Sequence, residues 1–166
     1  MIGMRSSRVL AAFAATAAIL AAGVVSASPA AAAGCAIAPQ APGGKTLRNK
    51  STIVFNSSPE GTRRSTGRVW VPNGGQVGVY GQNTNRWGTA HLDFAVIRAG
   101  SGSREVTCQF WPAYGPTGEY SLHDGQIVNR RAVNRTGGGN YYYIIATCDI
   151  RTTGDCDGSF TISSWY

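Results

Sequence analysis

The chain has 166 residues, with 15 lysines and arginines against 8 aspartates and glutamates and a formal charge of +7. The charge is spread out, with no basic stripe or recognised motif, which argues against a nucleic-acid reader. With its leader removed, the chain keeps roughly 135 residues, one domain's worth and enough to bury a genuine core.

Residues 1–33 read as a secretory signal peptide. Arg5 and Arg8 supply a positive start, residues 10–25 are apolar and uncharged, and small residues end at Ala27 and again at Ala33. The apolar run is too short for a transmembrane span, so the expectation is a secreted, extracellular protein without stable membrane insertion. Cleavage after Ala27 or Ala33 leaves 13 cations against 8 carboxylates, about +5, and 11 of those cations are arginines beside only Lys45 and Lys50. Ala32-Ala33-Gly34-Cys35 loosely resembles a lipoprotein processing site. Ala32 stands where leucine is usual, and acylation of Cys35 would leave an odd exported thiol, so lipidation is disfavoured.

Residues 34–50 follow as a flexible N-terminal arm. Pro39, Pro42, Gly43 and Gly44 deny it helix or sheet continuity. From residue 51 to 166 the sequence predicts a β-sandwich domain of nine short strands, at 52–55, 68–71, 76–80, 90–97, 105–111, 119–122, 126–133, 140–150 and 159–166. Gly, Asn, Ser and Pro clusters separate them, and no amphipathic helix is credible among so many glycines. Residues 105–111 alternate, with Val106, Cys108 and Phe110 on one face. In the last strand Phe160 and Ile162 face inward. The fold class is all-β: a small disulfide-stapled antiparallel β-sandwich, Ig-like or jelly-roll-like, with an extended N-terminal arm.

The four cysteines, Cys35, Cys108, Cys148 and Cys156, read as two disulfides in an exported chain, with three pairings open. The favoured one bridges Cys148 to Cys156 across a turn-like segment and leaves Cys35 with Cys108, tethering the arm. Zinc is disfavoured because the spacings form no paired CxxC knuckles. The run Asp155-Cys156-Asp157-Gly158 opens like a calcium loop but lacks the remaining ligands, so neither metal nor cofactor is expected.

No catalytic signature stands out. His91 and Asp93 share a strand face, but no serine sits in a GxSxG elbow. Glu60, Glu105 and Glu119 compete equally for a glycosidase pair. His123-Asp124-Gly125 reads as a turn. The aromatics are the stronger signal: Trp70, Trp87, Trp111 and Trp165 with seven tyrosines. Tyr141, Tyr142 and Tyr143 cannot all face one way, so one at least points outward. Trp, Tyr and Arg dominate interface hot spots. The candidate partner-binding residues are Ala36, Ile37, Pro39, Pro42, Leu47 and Arg48 of the arm, with Trp87 and Tyr142.

The alanine-rich leader, glycine-rich β domain and preference for arginine resemble the small exported proteins of high-GC actinobacteria such as streptomycetes. The layout of arm and stapled β domain resembles the small adaptor subunit of umbrella toxin particles, a likeness of overall plan without a diagnostic motif. It implies that the arm, residues 35–50, enters the cleft of a lectin-like subunit while the β domain docks on a large toxin-bearing scaffold protein. The functional expectation is a secreted, non-enzymatic protein-binding adaptor module. The alternatives are a secreted enzyme inhibitor or antimicrobial protein, and a carbohydrate-binding module.

Overall fold

Alternation with period two runs through residues 90–97 and 156–165, whereas residues 47–58 extend as a strand that stays largely exposed. A computed structural model describes residues 36–85, 90–100, 102–113, 120–150 and 154–166. Ten strands follow in order: β1 Leu47–Ser58, β2 Arg63–Ser65, β3 Val69–Val71, β4 Gln76–Asn83, β5 Ala90–Ala99, β6 Ser103–Glu105, β7 Ser121–Leu122, β8 Ile127–Val133, β9 Asn140–Ile150 and β10 Cys156–Trp165. One sheet has the order β1-β10-β4-β8. The other has the order β2-β9-β5-β6, with β3 also on β9 and β7 also on β5. Every pairing is antiparallel. The fold is a small all-β sandwich.

The core lies between the sheets. On β5 it takes Leu92, Phe94 and Val96, on β9 Tyr142, Ile144 and Ala146, on β4 Val77 and Val79, and on β10 Phe160 and Ile162. The Phe94 and Phe160 rings meet across the layer at 5.0 Å. Gly81, opposite Phe160 on β4, has no side chain because a Cβ there would sit 2.5 Å from the Phe160 ring. Cys148 and Cys156 form a disulfide between β9 and β10, tying one sheet to the other. Cys108 is disulfide-bonded as well. Cys35, its expected partner, lies outside the described residues.

Three expectations need correction. Residues 105–111 do not form a strand: after β6 the chain makes a 3-10 turn at Thr107–Gln109. Val106 and Phe110 are both buried, and residues four apart satisfy a strand and a helical turn equally. Thr107 decides for the turn, since it is buried beside Val106 and accepts the Val96 N–H at 2.9 Å. Second, β2 went unpredicted because all three of its side chains are exposed and carry no apolar signal.

Third, the arm is neither free nor as long as residues 34–50. β1 already starts at Leu47. Residues 36–42 lie against the body, where Ala38 N–H donates to Gln109 at 2.9 Å and Ala41 N–H to Arg131 of β8 at 3.0 Å. The buried Gln76 side chain donates to the Pro42 carbonyl at 2.7 Å. The segment thus runs from beside β6 in one sheet to the edge of β8 in the other, and closes that side of the sandwich. Prolines suit it because an extended segment with few ladder bonds has little use for their missing N–H.

Candidate binding surface

The strand registers place many of the sequence candidates at one end of the sandwich. Leu47 pairs with Trp165, Trp165 with Gln76, Gln76 with Val133, Val71 with Asn140, and Ala99 with Tyr141 and Ser103. The start of β1, the end of β10 and the start of β9 therefore meet at the end where residues 36–42 cross.

Trp70 and Tyr141 are direct cross-strand partners on β3 and β9, on the outer face of their sheet. Their rings pack edge-to-face at 4.9 Å, yet they remain 42 % and 46 % exposed. A Cβ on Gly139 would run into the Trp70 indole, so this glycine is the seat that lets the indole lie down beside Tyr141. Two residues along β9, Arg68 stands over the Tyr143 ring at 5.4 Å. On the other sheet Arg48 lies 5.6 Å from the exposed Tyr166 ring and donates Nε–H to the Tyr166 carbonyl at 3.2 Å. Arg131 stacks on Trp165 at 3.6 Å. Ring and guanidinium hold each other in these pairs by cation–π attraction.

Of the predicted contact residues, Ala36, Ile37, Pro39, Pro42, Leu47 and Arg48 are all exposed at this end. Tyr142 is not: strand alternation turns it into the core at 4 % exposure, and its neighbour Tyr141 carries the outward ring. The Tyr142 hydroxyl donates to Asn134 Oδ1 at 3.1 Å. Burial raises the Tyr142 pKa above its ordinary value, with the nearby hydrogen-bonding Arg98 guanidinium opposing that rise. Trp87 lies outside the described residues. Trp70 and Tyr141 as a pair were beyond sequence reading, because nothing in one sequence announces that β3 meets β9 in that register.

The residues weighed for chemistry do not converge: His91, His123 and Asp157 lie toward the far end, while Glu105 sits on β6 beside residues 36–42. The His91 and His123 rings stack at 3.9 Å. Asp93 accepts the Ser121 hydroxyl, Glu105 accepts the Thr107 hydroxyl at 2.8 Å, and Asp157 accepts the Ser57 N–H at 2.7 Å. Asp157 thus fixes the left-handed backbone of Ser57, at φ 42°. Among the described residues no three His, Cys, Asp or Glu side chains converge on a metal position. His123 closes the expected turn, accepting the Gln126 N–H at 2.9 Å with Gly125 at φ 72°.

The chain matches no family model, no curated protein and no solved structure. Its reading therefore rests on its own surface. Among the described residues no helix is long and apolar enough to cross a membrane. The loop an inhibitor would need, between Cys148 and Cys156, includes residues 151–153, which lie outside the described residues.

Proposed function

We propose that this chain is an exported, non-enzymatic protein-binding module, an adaptor that contacts its partner through the end of the sandwich where β1 begins. The observation that carries this reading is the gathering of Trp70, Tyr141, Leu47 and Arg48, on paired strands, with Tyr166 just past the end of β10, at that end. Trp, Tyr and Arg are the residue types that supply most binding energy at protein interfaces. Rings already held by a neighbour lose little freedom on contact. The leader with Arg5 and Arg8 and the disulfide between Cys148 and Cys156 support an oxidising, exported setting. The likeness in layout to the umbrella-particle adaptor makes a lectin-like subunit and a large scaffold protein the partners to look for.

The test is affinity capture from culture supernatant, with a tag inserted at the exposed Glu60–Gly61 turn. That turn lies at the opposite end, where Ser58 of β1 pairs with Cys156. Mass spectrometry should find a secreted protein in stoichiometric amount with the native chain and at least tenfold less with the Trp70→Ser/Tyr141→Ser variant. Equal capture by both would move the contact elsewhere. An exposed indole also stacks on sugars, so recovery of glycan without protein would favour the carbohydrate-binding alternative.

A further inference from the structure

Residues 36–42 roof a cavity of about 640 Å³ at the side of the sandwich. Arg98, Arg104 and Arg135 stand around it, and Glu105 is the one carboxylate in its lining among the described residues. Glu105 pairs with Ile97, so strand alternation aims it to the opposite face from Arg104, and it is already engaged by Thr107. The surplus positive charge therefore faces the cavity.

Two further facts mark this as a built arrangement. Arg98 and Arg104 are direct cross-strand partners on β5 and β6, and like charges placed opposite one another destabilise a sheet. Nothing in the fold requires that juxtaposition on an edge strand only three residues long. Arg98 is also half-buried, on the core-facing side of β5. Its guanidinium lies near the buried Tyr142 hydroxyl, which donates to Asn134. Asn134 in turn donates Nδ2–H to the Val71 and Gly138 carbonyls at 2.9 Å. The half-buried Arg98 thus stands beside a fixed hydrogen-bonded group, while the exposed Arg104 and Arg135 can adjust to a ligand. Ala38, Pro39 and Val106 give the cavity an apolar wall.

We propose that this cavity binds an oxyanion, the carboxylate or phosphate group of a ligand about the size of a mono- or disaccharide. Guanidinium forks match both groups with paired hydrogen bonds, and the volume lies within the range of small-ligand sites. The inference is independent of the docking surface at Trp70 and Tyr141.

The test uses the full oxidised protein and three probes at constant ionic strength: inorganic phosphate, glucuronic acid and neutral glucose. Calorimetric titration should detect one or both oxyanions and not glucose. Tighter phosphate assigns a phosphorylated ligand, and tighter glucuronate an acidic sugar. Arg104→Gln and Arg135→Gln alter exposed side chains and should each weaken binding about tenfold. Without any probe, Arg104→Gln should melt at or above the native protein, because it relieves the opposition to Arg98. The proposal is overturned if neither oxyanion binds better than glucose, or if both variants bind as the native protein does.

Discussion

Gly139→Ala separates binding from folding at the proposed surface. The added Cβ occupies the space of the Trp70 indole, which must swing away from Tyr141. Losing the ring pair costs about 0.5–1.5 kcal/mol. Gly139 has no left-handed backbone to protect, so alanine returns about 0.4–1 kcal/mol by restricting the unfolded chain. The two effects offset, and net stability should change by less than about 1 kcal/mol, a few degrees in Tm for a domain of this length. Binding has no such offset. If Trp70 is a hot spot worth at least about 2 kcal/mol, Kd rises about 30-fold or more. The assays are thermal melting, near-ultraviolet circular dichroism to confirm that Trp70 has left Tyr141, and titration of the captured partner. An unchanged Kd alongside an altered aromatic spectrum would refute the role given to Trp70. A fall in Tm beyond about ten degrees would refute the offset.

Other predictions follow from the core and the staples. Phe160→Ala should lose about 3–5 kcal/mol in denaturant unfolding, because Phe160 is fully buried between Phe94 and Gly81. Replacing Cys148 and Cys156 by alanine should cost about 2.5 kcal/mol from chain entropy, since the bridge spans eight positions. Tyr142 has its pKa raised above 10.0 by burial. Its contribution to stability is therefore fully present below the unfolded value and is lost as pH rises through the folded one. Tyr142→Phe should lose about 1 kcal/mol at neutral pH, with the hydrogen bond to Asn134. Its alkaline decline should be shallower than the native one, with Tyr120, raised by burial and Glu105, supplying the slope that remains.

The sandwich was legible because β5 and β10 alternate regularly, and because β-branched and aromatic runs such as β9 are bounded by Gly, Asn, Ser and Pro clusters. The bridge between Cys148 and Cys156 was legible because the turn-like segment between them brings two strands together. The 3-10 turn at Thr107 was hidden because Val106 and Phe110 fit both periods, and β2 because an exposed edge strand needs no apolar residue. The candidate surface was half visible. Leu47, Arg48 and the arm residues could be named singly. The pairing of Trp70 with Tyr141 depends on register between strands about seventy residues apart, which one sequence does not contain. Tyr142 and Tyr141 exchanged roles for the same reason: alternation required an outward ring but not which one.

The seated arm changes what a deletion can reveal. If residues 36–50 were a free tether, their removal would abolish binding and leave folding untouched. Here that deletion would also strip the β8 edge, remove the acceptor of buried Gln76 and cut away the start of β1. A bare edge invites pairing with other chains, so lost binding could not be told from aggregation. Ala38→Pro/Ala41→Pro is the cleaner probe, since it removes the two N–H donors that reach Gln109 and Arg131 while leaving β1, the Pro42 acceptor and the exposed Ile37 and Pro39 in the sequence. At about 1 kcal/mol for each hydrogen bond the pair should cost about 2 kcal/mol, read as a drop in Tm of several degrees. A free arm would show none. If the drop appears, the arm is part of the folded body, and any partner that grips Ile37 or Leu47 also grips the rigid end on which Trp70 and Tyr141 stand.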